Sequence, residues 1–398
     1  MGKPALRKRE LVPSVRLSDE EGQTFFGYYD NPAFSGNDRR HLVHRVPFCD
    51  RMQRAGDSAE LGFIEIDSGR YTRFAETTAW NFQQGSMLQW NPSAPDDEVI
   101  YNTVRDGCNC SVVQNVHTQA IRYLARPVAN VDPTGRYGLS INFGRMFDFR
   151  PGYGYADIAD PFRSELHPSE DGIFRVDLRT GDAQPIVSLE EIWSFIKPVF
   201  QAVEAKLTIN HITFNTIGTR FLFLARWVPP HSGKHLTALM TANADGSGLR
   251  CLSLYTLQSH YHWRDESRFV IFGGGPRGEQ LYLYEDAPGM KGEPEVVDAA
   301  SFSSDGHCSY SPDRRWMLYD SYPDQDNMRH LYVYDLIRKQ RVTLGSYYTP
   351  PHIAGDFRCD LHPRWNRAGT AISFDSAHEG QRHVYMIDLR ELQRLEGK

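Results

Sequence analysis

The feature that most constrains the fold of this chain is a motif that repeats along its whole length. Each copy has an anchor residue, a polar turn and an apolar strand, as in Tyr310-Ser-Pro-Asp313 followed by Trp316-Met-Leu-Tyr319. Seven residues fit the anchor position: Phe34, Trp90, Val131, Phe214, Trp263, Tyr310 and Trp365. Successive anchors are 56, 41, 83, 49, 47 and 55 residues apart. Repeats of roughly 40–50 residues are typical of four-stranded propeller blades.

A second unit, in which apolar and polar residues alternate, follows each anchor. Copies such as Phe63-Ile-Glu-Ile-Asp67 and Leu331-Tyr-Val-Tyr-Asp335 have the period of two that indicates antiparallel β-strands. The sequence therefore predicts an all-β fold, a single seven-bladed β-propeller domain over residues 1–398. We expect each inner strand to begin near its anchor, and residues upstream of Phe34 to close the ring with the last blade. The alternative is a pair of β-sandwiches.

The third blade departs from the regular spacing because it contains two insertions. Residues 143–170 are rich in Gly, Tyr, Arg and Asp, which indicates a long loop. Residues 188–205 have a helical pattern that opens with a capping box, Ser188 and Glu191, and contains Pro198, which we expect to kink the helix. Long loops on a rigid scaffold often contain functional residues.

Composition and motifs exclude several classes of function. The chain has 44 Lys and Arg against 50 Asp and Glu, a net charge of −6, which argues against binding to nucleic acid. Apolar stretches are only as long as a strand, so no membrane interaction is expected. The N-terminus lacks the apolar region of a signal peptide, and we expect a cytoplasmic protein. P-loop, GxSxG and HExxH patterns are absent from the sequence.

Histidine occupies the same position, three residues before the anchor, in four consecutive repeats. These residues are His211, His260, His307 and His362. Equivalent positions on neighbouring inner strands converge on the central channel of a propeller, where several imidazoles can share a divalent metal ion, Zn or Mn. His262, Asp360 and Cys308 lie within two residues of these histidines. The predicted ligands are His211, His260, His262, His307, Asp360 and His362. The alternative is that the histidines only hydrogen-bond between blades.

Two segments that precede anchors are candidates for substrate binding. Gly27-Tyr28-Tyr29-Asp30 precedes the first anchor, and residues 80–89, which place amides beside an aromatic ring, precede the second. The predicted substrate-binding residues are Tyr28, Tyr29, Trp80, Gln83, Gln84 and Gln89. For the glutamines the alternative is that they satisfy the ends of strands.

The first insertion of the third blade contains candidates for catalysis. Arg145 and Arg150 are fork-shaped donors suited to a carboxylate. Tyr153 and Tyr155 are phenols flanked by glycines, on a loop that can approach a ligand closely. His117 lies in an alternating strand, where we expect a structural role, with a role as general base as the alternative.

Several of these residues together resemble a known family. Residues 80–89, the TolB-like Tyr310-Ser-Pro-Asp313, His307 and Asp360-Leu-His362-Pro are similar to the oligogalacturonate lyases and the related seven-bladed ulvan lyases. In the first family the resemblance implies a channel manganese held by three His and a Gln, with His307 as the first ligand and His362 as the last. Asp360 stands where another His is expected, and Asp356 and Phe357 occupy the stretch of the Gln.

The ulvan lyases have a structural zinc with His and Cys ligands and use His, Tyr and Arg in catalysis. By this resemblance His211 and His262 look like the zinc histidines, and Tyr153 or Tyr155 like the catalytic phenol. The resemblance implies cleavage of an acidic, uronate-containing oligosaccharide by β-elimination. In that reaction a base removes the proton next to the carboxylate, a cation stabilises the enolate, and an acid serves the leaving oxygen.

The resemblance and the residue chemistry together assign these roles. Neutralisation of the carboxylate is assigned to Arg145 or Arg150, and proton transfer to Tyr153, Tyr155 or His117. Two other functions fit the same fold. One is a non-catalytic propeller with a structural metal whose rim binds a carbohydrate or a protein. The other is a glycoside hydrolase, for which Asp148 and Asp157 are candidate carboxylates.

Overall fold

Seven antiparallel sheets surround a central channel in the computed structural model, which describes residues 8–17, 22–288 and 293–391. The prediction of an all-β, seven-bladed propeller is confirmed. In the first five blades the strands follow the order of the chain from the channel outward, and in the last two an N-terminal strand is added on the outside.

Each blade extends from an innermost strand at the channel to an outermost strand at the surface. In this direction, the first blade contains Gln23–Phe25, Arg40–Val46, Ala59–Glu65 and Tyr71–Thr77. The second contains Gln89–Trp90, Glu98–Arg105, Cys108–Asn115 and Ile121–Leu124. The third contains Asn130–Val131, Tyr137–Ser140, Gly172–Asp177 and Ala183–Ser188. The fourth blade contains Leu207–Phe214, Arg220–Trp227, Leu236–Asn243 and Arg250–Cys251. The fifth contains Gln258–Trp263, Arg268–Gly275, Gly278–Glu285 and Glu295–Val296. The sixth blade contains Cys308–Tyr310, Trp316–Asp320, Met328–Asp335, Gln340–Tyr348 and Lys8–Glu10. The seventh contains Arg364–Trp365, Ala371–Ser376, His383–Asp388 and Ser14–Arg16.

The N-terminal segment closes the ring, as the sequence predicts. Ser14–Arg16 pairs with His383–Asp388 and forms the outermost strand of the seventh blade. Lys8–Glu10 pairs with Gln340–Tyr348 and adds a fifth strand to the sixth blade. The two ends of the described chain therefore meet in neighbouring blades.

Six of the seven anchor residues end the innermost strands, whereas the repeat pattern predicted them near the start, and the seventh, Phe34, forms an isolated bridge with His41 after its strand has ended. Gln89–Trp90 and Gln258–Trp263 show this placement, and the polar turn follows directly. The reason lies in the contact between blades, where three anchor indoles each donate a hydrogen bond to the carbonyl that precedes the previous anchor. These bonds run from Trp90 to Ala33 (3.0 Å), from Trp263 to Thr213 (3.3 Å) and from Trp365 to Ser309 (3.3 Å).

The residues before the anchors lie at one end of the propeller, which we call the histidine end. The turns between second and third strands and the connections between blades lie at this same end, because strands alternate in direction. Both insertions of the third blade are found there and contain the two α-helices of the described chain, Phe143–Phe149 and Leu189–Phe200. Two short 3-10 helices, Pro151–Tyr153 and Gly355–Phe357, also lie at this end.

The second insertion has the predicted helix and the predicted cap. The Ser188 side chain accepts from the backbone of Glu191, and the Glu191 carboxylate accepts from the backbone of Ser188. Pro198 lies in the last turn of the helix, which ends two residues later at Phe200. Neither α-helix of the described ranges is long and apolar enough to cross a lipid bilayer.

Candidate active site at the histidine end of the channel

The four histidines of the repeat converge on the channel. The ring centroids of His211 and His260 are 5.5 Å apart, those of His260 and His307 are 4.1 Å apart, and those of His307 and His362 are 4.1 Å apart. All four side chains are buried. We call these four residues the histidine cluster.

Irregular backbone aims these side chains inward. The pairing of strands shifts around His211, between Asn210 and Ile212, and again around His260. Such bulges redirect a side chain that a regular strand would place elsewhere. His211 and His362 also have positive φ angles of 46° and 42°. This conformation costs roughly 1–3 kcal/mol for a residue other than glycine, and strain of this kind is concentrated at functional sites.

Carboxylates lie within hydrogen-bond distance of the Nδ1 atoms of two members of the cluster. His260 Nδ1 lies 3.1 Å from Asp305, and His307 Nδ1 lies 3.0 Å from both oxygens of Asp320. A hydrogen bond from Nδ1–H to a carboxylate leaves Nε2 with a lone pair. In His307 this Nε2 is buried and has no hydrogen-bond partner among the described residues. The ring is thus oriented for a ligand that accepts its lone pair.

Three residues of this region could hold a metal ion. Potential ligand atoms of His307, Asp360 and His362 all lie within 4.8 Å of one another. Burial raises the pKa of Asp360, but Arg358 and Arg329, each at 2.7 Å, outweigh burial and hold this pKa at about 2. Two imidazoles, one with an unpartnered Nε2, and an ionised carboxylate are suitable ligands for Zn or Mn. These residues therefore fit a divalent metal ion.

Two tyrosines from the first blade contact the histidine cluster. The Tyr29 ring centroid lies 5.1 Å from that of His307, and the Tyr29 hydroxyl donates to the Tyr261 carbonyl at 2.8 Å. The Tyr28 hydroxyl is hydrogen-bonded to Nδ1 of His211. Both predicted substrate-binding tyrosines are therefore at the site, but they are buried and support the histidines.

A buried arginine outside the predicted set lies beside this site. Arg226 is 3% exposed, its Nε has no hydrogen-bond partner, and none of the described acidic residues forms an ion pair with it. Burial, together with the charge of Arg150, lowers the pKa of Arg226 to about 10. The available signal was an arginine within the apolar run of residues 221–227. A buried guanidinium without an acidic partner is suited to an anionic ligand.

The first insertion reaches across the histidine end to the connection between the sixth and seventh blades. Arg150 Nε lies 3.2 Å from Asp356, whose other oxygen accepts from the Gly152 backbone at 3.3 Å. The Tyr153 hydroxyl accepts from Arg358 at 3.0 Å. A side chain at position 152 would meet the Cβ of Asp356 at 2.5 Å, so this approach requires glycine. We call residues 150–154 and 355–358 the strap.

The other predicted catalytic residues have different surroundings. Arg145 is 1% exposed and makes five hydrogen bonds, including one to Asp160 at 3.1 Å. Its donors are occupied within the insertion, which does not suit a role in binding a substrate carboxylate. Tyr155 is fully buried, where its hydroxyl accepts from Asn102 at 2.8 Å and its ring stacks on Phe143. Both residues hold the insertion in place.

Two predicted histidines lie outside the histidine cluster. His117 is in the turn after Cys108–Asn115, at the opposite end of the blade, where its exposed ring lies 3.4 Å from Asp97. It is therefore neither in a strand nor beside the channel histidines. His262 is half-buried, with its ring centroid 5.9 Å from that of Tyr310. Its Nδ1 accepts from the Tyr310 backbone at 3.5 Å, and it does not join the group of candidate ligands.

Two of the three glutamine amides of residues 80–89 donate to backbone carbonyls. Gln83 donates to the carbonyls of Asp356 and Arg358, each at 3.0 Å, and so supports the strap. Gln89 donates to the carbonyl of Met87 at 3.2 Å. Two further members of the predicted set, Trp80 and Gln84, are also buried.

The carboxylates considered for a hydrolase are engaged in the insertion. Asp148 is paired with Arg163 at 3.1 Å and with Lys206 at 3.3 Å. Asp157 accepts from the Gly56 backbone at 2.7 Å. Neither residue is among the contacts that surround the histidine cluster.

Comparison with known proteins supports the fold. No family model matches the chain, and no curated protein matches it by sequence. An oligogalacturonate lyase from Vibrio parahaemolyticus is similar in structure, with a TM-score of 0.64, 14% identity and coverage of 96% of this chain and 97% of that one. An oligogalacturonate lyase in complex with manganese gives a TM-score of 0.65, 14% identity and the same coverage.

A more distant similarity is to the β-propeller domain of the Trilobed protease from Pyrococcus furiosus. The TM-score is 0.51 at 9% identity, with coverage of 91% of this chain and 93% of that one. The chain thus has the seven-bladed fold of the oligogalacturonate lyases over nearly its full length.

Proposed function

We propose that this protein cleaves a uronate-containing oligosaccharide by β-elimination at the histidine end of its channel, with a bound divalent metal. The proposal rests on one observation. Arg226, a buried arginine that forms no ion pair with the described acidic residues, lies beside a histidine cluster whose rings are oriented by carboxylates. Oligogalacturonate lyases, which share the fold at 14% identity, supply the substrate class for this proposal.

Arg226 is the proposed partner of the substrate carboxylate. Its guanidinium is already desolvated and has no acidic partner in the described chain, so an incoming carboxylate would compensate a charge that is now buried alone. Pairing also withdraws electron density from the carboxylate, which makes the proton on the neighbouring carbon easier to remove. Arg150 lies near enough to influence the pKa of Arg226 and provides a second positive charge at the mouth.

His260 is the proposed general base. Asp305 holds its Nδ1 at 3.1 Å, and no described residue hydrogen-bonds its Nε2. A neutral imidazole with a fixed tautomer can accept a proton at Nε2, and the carboxylate behind it stabilises the charge that results. Burial lowers the pKa of His260, which keeps the imidazole neutral before the reaction.

His307, His362 and Asp360 are the proposed ligands of the metal. When bound there, a divalent cation would act as a Lewis acid that stabilises negative charge on the uronate carboxylate. Zn and Mn both accept imidazole and carboxylate ligands. Asp320 orients His307 through Nδ1, and Arg329 and Arg358 position the carboxylate of Asp360.

The experiment is an elimination assay on a panel of uronate oligosaccharides with added Zn²⁺ or Mn²⁺. Elimination creates a carbon–carbon double bond conjugated to the carboxylate, which absorbs in the ultraviolet. We expect signal from the wild type, and a loss of about 10²-fold or more for His260→Ala and for Arg226→Met. Tyr155→Phe, a buried change away from the cluster, is the matched control. Reducing ends without ultraviolet absorbance would indicate hydrolysis and contradict the proposal, as would binding without turnover.

A further inference from the structure

A tyrosine outside the predicted set lies over the histidine cluster. Tyr322 follows the strand Trp316–Asp320, and its ring centroid is 6.3 Å from that of His260 and 6.1 Å from that of His307. The guanidinium carbons of Arg329 and Arg358 lie 5.9 Å and 5.6 Å from this centroid. Tyr322 also lies near enough to Arg226 to influence its pKa. The ring therefore lies close to the proposed base and to His307, one of the proposed metal ligands.

The Tyr322 hydroxyl differs from the other phenols of this region because no described residue hydrogen-bonds it. The other hydroxyls are engaged: that of Tyr28 with His211, that of Tyr29 with the Tyr261 carbonyl, that of Tyr153 with Arg358, and that of Tyr155 with Asn102. Tyr322 is also only partly buried, whereas these four are buried. Its O–H group is therefore available to a ligand at the channel mouth.

We infer that Tyr322 is the catalytic proton donor to the leaving oxygen, an inference that rests on the proposed elimination. His260 Nε2 takes the proton from the carbon next to the carboxylate, and that electron pair forms the new carbon–carbon double bond. The bond from the neighbouring carbon to the leaving oxygen breaks, and this oxygen takes the phenol proton. Solvent then returns a proton to the phenolate and removes one from the imidazolium. A tyrosine hydroxyl, with an ordinary pKa near 10, is protonated at neutral pH.

Two substrates that differ in their leaving group test this role. The first is a uronate oligosaccharide that was active in the wild-type assay, whose sugar leaving group requires a proton. The second is a methyl uronoside with fluorine at the same carbon, since fluoride leaves without protonation. Tyr322→Phe keeps the ring and removes only the hydroxyl, and Tyr255→Phe, at an exposed tyrosine, is the matched control. Both are assayed by ultraviolet absorbance, and thermal unfolding confirms that each variant is folded.

We expect kcat of Tyr322→Phe to fall by about 10²-fold or more on the oligosaccharide and by less than about 3-fold on the fluoride, because only the first needs an acid. Equal losses on both substrates would overturn the inference and indicate that the residue serves binding. Unchanged activity on both would overturn it as well. If the wild type eliminates neither substrate, the proposed function itself fails, and this result differs from the other two.

Discussion

Two buried arginines of the histidine end, Arg145 and Arg226, should respond differently to the same substitution. Arg145 is 1% exposed and makes five hydrogen bonds, whereas Arg226 is 3% exposed and has no ion pair in the described chain. Methionine removes the charge of either residue while it keeps a long apolar side chain. The comparison therefore isolates the effect of a partner on a buried guanidinium.

The magnitude for Arg226 follows from its pKa, which burial and then Arg150 lower to about 10. The ordinary value is roughly 12.5, and one pKa unit corresponds to about 1.4 kcal/mol, so the charge destabilises the folded state by about 3 kcal/mol at pH 7. Arg226→Met should therefore leave the free energy of unfolding unchanged or raise it by up to about 3 kcal/mol. Arg145→Met removes one of the two cationic partners of Asp160, which keeps Lys206 at 3.3 Å, and leaves four carbonyls without the guanidinium donor, so it should lower this free energy by about 3–5 kcal/mol.

The assay is unfolding in urea, followed by tryptophan fluorescence, for the wild type and both variants. Each protein is also melted with and without a uronate oligosaccharide, because a ligand that binds only the folded state raises the melting temperature. We expect the ligand to stabilise the wild type and Arg145→Met but not Arg226→Met. A loss of more than about 1 kcal/mol in Arg226→Met without ligand would show that its charge is not buried alone, and a full ligand response in that variant would exclude Arg226 as the carboxylate partner.

Three further substitutions test other parts of the site. Asp320→Asn should weaken binding of Zn²⁺ or Mn²⁺ by about 10–100-fold in equilibrium dialysis, because it replaces the charged acceptor of the His307 Nδ1–H with a neutral amide, and unchanged affinity would contradict the assignment. Asp356→Ala should change the free energy of unfolding by no more than about 1 kcal/mol but speed hydrogen exchange at the Gly152 amide, and unchanged exchange would show that the strap does not depend on this carboxylate. Burial raises the pKa of Asp30 from 3.8 to about 7, so the folded state holds this proton more tightly than the unfolded state and stability should fall as pH rises from about 4 to 7. Asp30→Asn should flatten that part of the stability profile by about 4 kcal/mol, and an unchanged slope would contradict the assignment.

The blade architecture could be predicted because it depends on local patterns that recur. Three tryptophan anchors, such as Trp263, bond to the blade before them, and an apolar or aromatic residue recurs at this position in every repeat. The convergence of the histidine cluster follows from the same logic, since a position counted from the anchor has a fixed place relative to the channel. The innermost strands begin earlier in the chain than predicted, but the position three residues before the anchor still faces the channel.

The roles of individual side chains could not be predicted in the same way, because they depend on contacts between distant parts of the chain. Arg145 and Arg150 are five residues apart and chemically identical, yet one is enclosed with Asp160 and the other meets Asp356 across the histidine end. Arg226 belongs to an ordinary strand and Tyr322 to an ordinary loop. What distinguishes them is that, among the described residues, Arg226 has no acidic partner and the Tyr322 hydroxyl has no hydrogen-bond partner. Such an absence has no signature in a sequence.

Elimination and hydrolysis are separated most clearly by the mass of the products formed from a uronate oligosaccharide in ¹⁸O-labelled water. Elimination breaks the bond without adding water, so the masses of the two fragments should sum to that of the substrate, and neither fragment should gain ¹⁸O from the cleavage step. Short incubation limits later exchange at the reducing end, and an uncut oligosaccharide with the same end group measures that exchange. Fragments that together exceed the substrate by one labelled water would show hydrolysis and contradict the proposed elimination.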